Sequence, residues 1–272
     1  MPELPEVETI RLSLQPKLID TTISGGELLL PKMLQNWLPA EFWDLIIGRK
    51  IKSLKRRGKY LLFHLSGGLV LGIHLRMTGQ LIVEPNSAPL HKATYFRLKL
   101  TNDTELRFRD QRKFGRIMLF PADSPPDSIL KIGPEPLKPD FTVTVLKRQL
   151  SRRKTAIKKV LLDQEVLAGL GNIYTDEALF IAGIHPVRPA NSLTDPELIF
   201  LHTAIIQVLQ EGIEHRGTTK RDYCDGEGKP GSYQEKLRVY GRKGLPCVNC
   251  QAPIVKMILG GRGTHFCPLC QE

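Results

Sequence analysis

Four cysteines near the end of the chain have the spacing of a metal site. They form two Cys-x-x-Cys pairs separated by 16 residues: Cys247, Cys250, Cys267 and Cys270. Two turns that each present a thiolate pair, joined by a short hairpin, suit the tetrahedral four-sulfur coordination of structural Zn²⁺. A redox pair is the alternative, and it fits poorly with a cytosolic chain. We therefore expect one structural zinc ion, with Cys224 and His265 outside its coordination sphere.

The N-terminus carries a second group that could do chemistry. Removal of Met1 before the small residue Pro2 would leave a secondary amine, which is a nucleophile near neutral pH. Glu3 lies beside it as a candidate acid or base, and Glu6 follows one helical turn later. Such an amine could attack an electrophilic carbon and form an iminium ion. An ordinary capped helix start explains the same residues, and from these residues alone it is the favoured interpretation.

The elements that must position these groups follow from the spacing of apolar residues. Residues 3–18 carry apolar side chains at intervals of three and four, which predicts an amphipathic helix. From Thr22 to about Phe120, short apolar runs divided by turn residues predict a two-sheet β-sandwich. Further helices are predicted at residues 144–150, 156–162, 173–182 and 195–214. The predicted fold class is therefore α+β.

Composition divides the chain into four predicted parts. Residues 122–141 are rich in proline and aspartate and are typical of a linker. The predicted domains are an N-terminal β-sandwich at 1–121, a helical domain at 142–240 and a zinc ribbon at 241–272. Two glycines before the helix at 173 would let backbone amides face a phosphate, although a tight turn is the commoner reason for such a pair.

The balance of charge favours a nucleic-acid partner. Lys and Arg number 39 against 28 Asp and Glu, which leaves a net charge of +11. The basic residues recur in clusters along the chain, as on a folded binding surface, although a basic surface without a specific partner is the alternative. No apolar run of about 18 residues is present, which argues against a membrane span. The acidic N-terminus lacks the pattern of a secretory signal, so we expect a cytoplasmic protein.

Four motifs occur in one order from end to end of the chain. They are Pro2-Glu3-Leu4-Pro5-Glu6-Val7-Glu8-Thr9, Asp110-Gln111-Arg112-Lys113-Phe114-Gly115, Gly169-Leu170-Gly171-Asn172-Ile173-Tyr174 and Gly261-Arg262-Gly263-Thr264-His265-Phe266-Cys267-Pro268. With these motifs the chain resembles the bacterial formamidopyrimidine-DNA glycosylases over its full length. The resemblance implies an N-terminal helix with a two-sheet β-sandwich, a helix-two-turn-helix domain and a β-hairpin zinc ribbon.

The resemblance also implies an activity. In that family the mature N-terminal proline attacks the sugar C1′ of an oxidised purine nucleotide, expels the base and forms a Schiff base with DNA. Successive β- and δ-elimination then cut the strand. Pro2 matches the nucleophile, Glu3 matches the proton shuttle, and Lys59 matches a lysine that contacts phosphate near the lesion. A solvated strand lysine is the alternative for Lys59.

Further residues match family positions that contact DNA. An enzyme that flips a base from the duplex must fill the gap, and Met77, Arg112 and Phe114 match the side chains that do so. Without the resemblance, Met77 and Phe114 would be expected in the core. Phosphate contacts or contacts near the flipped base are implied for His74, Lys158, Asn172, Arg221, Tyr240 and Arg262. Thr218 and Thr219 fall in the segment that folds over the flipped base.

One stretch departs from the family pattern, and two other functions remain open. Where relatives carry a His-x-His element, this chain has residues 91–95, of which Lys92 is our candidate to supply the missing phosphate contact. An endonuclease VIII type of glycosylase would prefer oxidised pyrimidines, and a non-catalytic zinc protein would only bind nucleic acid. The expected partner in the main hypothesis is double-stranded DNA with an oxidised base or abasic site, bound by a monomer.

Overall fold

The structure is a computed structural model that describes residues 1–219 and 222–272. Arg221, a predicted DNA contact, lies outside the described residues. The helices are α1 (Leu4–Leu18), α2 (Pro39–Ile46), α3 (Asp127–Leu130), α4 (Val143–Leu150), α5 (Ile157–Leu161), α6 (Asn172–Ile181) and α7 (Asp195–Glu214). The strands are β1 (Ile23–Leu28), β2 (Leu34–Gln35), β3 (Ile51–Arg57), β4 (Tyr60–Leu65), β5 (Leu69–His74), β6 (Gly79–Pro85), β7 (Thr94–Leu100), β8 (Thr104–Asp110), β9 (Arg116–Pro121), β10 (Val255–Leu259) and β11 (Arg262–Phe266). The predicted α+β class is confirmed.

The described residues form two compact units. One comprises Met1–Leu130 with His215–Ser232, and the other comprises Lys131–Glu214 with Tyr233–Glu272. Within the predicted linker at 122–141, the short helix α3 forms. The predicted boundaries at 121, 141 and 240 stay predictions. Among the described residues, no helix combines the length and apolar character needed to cross a membrane.

Two sheets build the first unit, as the alternating apolar runs predict. The strand orders are β2-β9-β5-β4-β3 and β1-β7-β8-β6. In β4, Leu61, Phe63 and Leu65 are buried and alternate with less buried residues, so one face of the sheet meets the core. The same apolar core contains Phe96 and Phe108 from the second sheet. The predicted two-sheet sandwich is therefore confirmed.

Helix α1 packs on this core and holds the start of the chain. Glu3 is its N-cap residue, and Pro5 lies in the first turn, where a missing N–H costs nothing. The apolar residues that predict the helix are all buried: Leu4, Val7, Ile10, Leu14 and Leu18. Their burial along one side of the helix brings the first residues of the chain to a defined place in the first unit.

The second unit contains the later helices and the β10–β11 hairpin. Gly171 is the N-cap of α6, and Gly169 has a φ of +82°, a conformation that favours glycine. In the hairpin, Leu259 pairs with Arg262 across the two-residue turn Gly260-Gly261. Both glycines have positive φ, as tight hairpin turns require. The turn places Arg262 at the tip of the hairpin.

A cluster of charges lies inside the four-stranded sheet. Arg107 and Glu105 have fully buried side chains whose Nε and Oε2 are 2.9 Å apart. Glu105 also accepts from Arg97 at 2.6 Å, and Arg97 reaches the half-exposed Glu27 at 3.0 Å. Burial raises the pKa of Glu105, but the hydrogen bonds and charges of the two arginines outweigh it and hold the pKa below its usual value.

Replacing Glu105 by Gln is expected to lower the free energy of unfolding by about 3–5 kcal/mol, because it leaves the Arg107 charge buried with less compensation. The two tryptophans, Trp37 and Trp43, lie in the first unit, so urea unfolding followed by their fluorescence reports this effect. In the parent chain, the contribution of Glu105 is present above the unfolded pKa of the carboxyl group and is lost as the pH falls through the lower folded pKa.

The matched control is Glu27→Gln, which removes an exposed partner of the same Arg97 and is expected to cost less than about 1 kcal/mol. Equal losses for the two variants would contradict the structural role assigned to the buried pair.

Candidate active site and metal centre

The first residues of the chain are tied to a distant segment of the same unit by one carboxylate. Pro2, Glu3 and Glu6 are buried. The N–H of Glu3 donates to Oε2 of Glu6 at 2.8 Å, and the N–H of Thr218 donates to Oε1 of Glu6 at 2.7 Å. Gly217 has a φ of +82°, and a Cβ there would lie 2.9 Å from the Glu6 side chain. Only glycine fits this approach.

Lys59 and His74 lie close together in the five-stranded sheet. Lys59 is buried in the turn between β3 and β4, and the next residue, Tyr60, pairs with His74. Burial, aided by the charges of Arg76 and Lys59, lowers the pKa of His74 to about 3. The Nδ1 atom of His74 accepts the N–H of Arg76 at 2.9 Å. The ring is therefore neutral, and its proton lies on Nε2.

The structure brings Met77, Arg112 and Phe114 together on the surface of the first unit. Met77 is 41% exposed and Phe114 is 44% exposed, so neither is a core residue. The Nη1 atom of Arg112 lies 2.9 Å from the Met77 sulfur, and its Cζ lies 4.8 Å from the centre of the Phe114 ring. One guanidinium group thus contacts both apolar side chains, as cation–π geometry allows.

Asp110 holds this group of side chains, although the sequence alone predicts no role for it. Its Oδ1 accepts the N–H of Arg112 at 3.2 Å and the hydroxyl of Thr78 at 2.5 Å. Its Oδ2 accepts the N–H of Gly115 at 2.7 Å. The buried carboxylate thus joins the loop after β5 to the loop after β8. The sequence does contain a signal for this role, because Asp110 is the first residue of the motif that contains Arg112 and Phe114.

The second unit holds the other predicted DNA contacts. Asn172 donates from Nδ2 to the carbonyl of Gly263 at 2.8 Å, next to Arg262 at the hairpin tip. Tyr240 packs its ring edge-on to His265, with the ring centres 5.0 Å apart. Lys158 is 0% exposed, and its ammonium group lies 2.6 Å from Oδ1 of Asp176. The phosphate contact predicted for Lys158 does not fit this geometry, because its ammonium group is buried and paired with the Asp176 carboxylate.

The four predicted metal ligands converge at the base of the β10–β11 hairpin. Their sulfur atoms all lie within 4.8 Å of one another. The Cys247–Cys270 and Cys250–Cys267 sulfur distances are 3.9 and 3.4 Å. Tetrahedral Zn²⁺ with Zn–S bonds of about 2.3 Å needs sulfurs about 3.8 Å apart, so the cysteines fit the ion. Four protein ligands leave no open position, which makes the zinc structural.

Comparisons with known proteins agree with this arrangement. The chain matches the models of the formamidopyrimidine-DNA glycosylase N-terminal domain at residues 1–117, the formamidopyrimidine-DNA glycosylase H2TH domain at 132–223 and the zinc finger found in FPG and IleRS at 244–272. It is 51% identical to the formamidopyrimidine-DNA glycosylase of Desulforamulus reducens, covering 100% of this chain and 99% of that protein. It is 49% identical to that of Pelotomaculum thermopropionicum, with the same coverage.

Solved structures give the same result. A mutant FPG of Lactococcus lactis in complex with DNA containing Fapy-dG has a TM-score of 0.94 and 38% identity, covering 100% of both chains. The MutM (FPG) protein of Thermus thermophilus has a TM-score of 0.90 and 42% identity, covering 99% of this chain and 98% of that one. The Lactococcus lactis Fpg bound to DNA with an abasic site has a TM-score of 0.93 at 39% identity, covering 99% of both chains.

Replacing Cys250 by Ser is expected to reduce bound zinc from one ion per chain to well below one, because a serine hydroxyl is a poor substitute for a thiolate. Elemental analysis of the purified protein measures this. Cys224→Ser is the matched control, since Cys224 lies outside the cluster, and it is expected to keep the full zinc content. Loss of zinc from the control would contradict the assigned ligand set.

Proposed function

The chain belongs to the formamidopyrimidine-DNA glycosylase family, and from this membership we propose that it removes oxidised purines from duplex DNA and then cleaves the strand. Its substrates are 8-oxoguanine and ring-opened formamidopyrimidines, and its role is base excision repair. The observation that carries the proposal is the placement of Pro2 directly before Glu3, the N-cap residue of α1. There the buried Glu6 carboxylate accepts the backbone N–H groups of both Glu3 and Thr218.

The proposed reaction begins at Pro2. After removal of Met1, the secondary amine attacks C1′ of the damaged nucleotide, and the bond from C1′ to the base breaks. Glu3 supplies a proton to the sugar ring as it opens, which leaves an iminium ion between the protein and DNA. The positive charge acidifies neighbouring sugar protons, so β-elimination and then δ-elimination release the strand on both sides. The enzyme is thus a glycosylase and an abasic-site lyase.

We assign Lys59 and His74 to the phosphate beside the lesion. Lys59 supplies a positive charge, which gives affinity without reading sequence. His74 contributes differently, because its low pKa keeps the ring neutral and leaves Nε2–H as a hydrogen-bond donor. The pair therefore combines one charge with one neutral donor.

Met77, Arg112 and Phe114 are proposed to fill the gap left by the flipped nucleotide. A thioether and a ring can stack where a base stood, and the guanidinium group can address the unpaired partner base. Their exposure on the surface supports this role, because water-exposed apolar side chains gain from burial in the base stack. Asp110 keeps the two loops in a fixed arrangement before DNA arrives.

The second unit is proposed to grip the DNA backbone through Asn172, Tyr240 and Arg262. Arg221, outside the described residues, stays a predicted contact near the flipped base. Lys158 supports this grip from inside the unit. Arg262 owes its place to the hairpin that the zinc ion closes at its base. We also propose that the protein works as a monomer in the bacterial cytoplasm, because its substrate is chromosomal DNA and one chain carries all of these residues.

Borohydride trapping tests the chemistry. With a duplex that contains 8-oxoguanine, we expect a covalent adduct that maps to the N-terminal peptide beginning at Pro2, after mass spectrometry has confirmed that Met1 is absent. Glu3→Gln is expected to slow base release by about 10²–10⁴-fold, because it removes the proton shuttle. The same substitution at the exposed Glu41 serves as the control and should leave the rate unchanged. An adduct on a lysine, or no adduct, would remove the proposed mechanism.

Gap filling is tested by Phe114→Ala. The rate at which the variant excises 8-oxoguanine from duplex DNA is expected to fall at least about tenfold. Without the Phe114 ring, less stacking energy offsets the cost of unstacking the damaged base. Cleavage of an abasic site in single-stranded DNA should change little, since no base must be flipped there. Leu38→Ala is the control, because Leu38 is also an exposed apolar residue but lies outside the proposed contact. Equal losses on the two substrates would argue for a folding defect instead.

A further inference from the structure

Two neighbouring acidic residues of α6 are buried and have no role in the chemistry described above. Asp176 and Glu177 have almost no exposed surface. They follow Asn172 in a helix that is otherwise mostly apolar. A buried carboxylate is costly unless it is paired or accepts hydrogen bonds, so the partners of these two residues show what they hold in place.

Asp176 joins helices α5 and α6 to strand β11. Its Oδ1 lies 2.6 Å from the ammonium group of Lys158, whose side chain is also fully buried. Its Oδ2 accepts the N–H of His265 at 2.9 Å and lies 3.3 Å from Nδ1 of the same ring. His265, which is surplus to the four-sulfur metal site, therefore has a structural partner.

The residues between the hairpin tip and His265 are held by the same group. Lys158 donates to the hydroxyl of Thr264 at 2.9 Å and to the carbonyl of Gly263 at 3.2 Å. Asn172 donates to that Gly263 carbonyl at 2.8 Å. Three successive residues of β11, beginning directly after Arg262, are thus attached to α5 and α6.

Glu177 holds the neighbouring segment in the same way. Its carboxylate accepts the N–H groups of Arg238, Val239 and Tyr240 at 2.8, 3.0 and 2.8 Å. Adjacent residues of one helix therefore hold two segments, one that leads to Arg262 and one that carries Tyr240.

We infer that Asp176 is a positioning residue for the phosphate grip, with Lys158 as its internal counter-charge. The inference rests on the proposed DNA-binding function. The zinc ion fixes the base of the hairpin through cysteines that flank it in sequence, but it does not reach the tip. Asp176 holds His265 directly and pairs with Lys158, which contacts Gly263 and Thr264 close to the tip. Through these contacts Asp176 sets the distance between Arg262 and Asn172. Both side chains then meet the DNA backbone without first having to be ordered.

The decisive experiment compares Asp176→Asn, Arg262→Ala and the double variant. Binding to a duplex with a tetrahydrofuran abasic analogue is measured over a range of salt concentrations. Asp176→Asn is expected to weaken binding about tenfold and to lower the salt slope by about one, because the contact of Arg262 with phosphate is lost. In the double variant the effects should not add, since both changes remove the same contact. With a duplex that contains 8-oxoguanine as the substrate, the kcat of Asp176→Asn at saturating DNA should change little.

Controls separate this role from a general loss of structure. Asp195→Asn makes the same substitution at an exposed aspartate and should bind like the parent chain. Zinc content must stay at one ion per chain in every variant compared. If Asp176→Asn loses zinc or fails to fold, Thr264→Val takes its place, because it removes only one hydroxyl that Lys158 contacts. That variant is expected to show a smaller loss of affinity, again without adding to Arg262→Ala.

Parent-like affinity and salt slope in Asp176→Asn, or fully additive losses in the double variant, would overturn the inference. If the proposed function itself is wrong, the parent chain will neither bind the abasic analogue nor form a borohydride adduct. That result is distinct from the two outcomes above.

Discussion

A carboxylate buried in a protein must receive hydrogen bonds or a counter-charge, and this requirement organises the functional residues of both units. Glu6 and Asp110 accept backbone N–H groups from segments that carry the proposed catalytic and gap-filling residues. In the second unit, Asp176 receives the ammonium group of Lys158. This arrangement suits an enzyme whose partner is a polyanion, because the carboxylates that shape the loops lie inside the protein and not on the surface that meets phosphate. Loops that are already ordered lose less conformational entropy when DNA binds, so more of the interaction energy is available for flipping a base.

Much of the fold could be predicted from spacing alone. Helix α7 coincides with the helix predicted at 195–214, and strand β5 lies in the region predicted to be rich in strands. Both follow because regular spacing of apolar residues lets an element bury one side in a core. The four cysteine ligands also follow from spacing, since two Cys-x-x-Cys pairs this close together in a chain are a signature of metal binding. The helix predicted at 3–18 is observed at Leu4–Leu18, with Glu3 as its N-cap. The chemical role of Glu3 comes only from the resemblance, because a capped helix start explains the same residues.

Spacing failed where a side chain departs from the usual behaviour of its type. Phe114 is exposed although aromatic residues are usually buried, and Lys158 is buried although lysines are usually exposed. In both cases the structure shows what holds the side chain there. Arg112 and Asp110 shape the loop around Phe114, and Asp176 receives the charge of Lys158. Local pattern does not reveal these pairings, so only the folded chain shows them.

The zinc site lies far along the chain from the proposed nucleophile Pro2, because the metal stabilises the ribbon and takes no part in the chemistry. Zinc adds a large stabilisation to a small ribbon that has little core of its own, but it acts only at the four sulfurs that it binds. The hairpin turn uses Gly260 and Gly261, whose positive φ closes the turn. A hairpin fixed only at its base can still bend along its length. The attachment of Gly263, Thr264 and His265 to the helices therefore complements the metal, because the ion keeps the ribbon folded and the buried ion pair determines where its tip points.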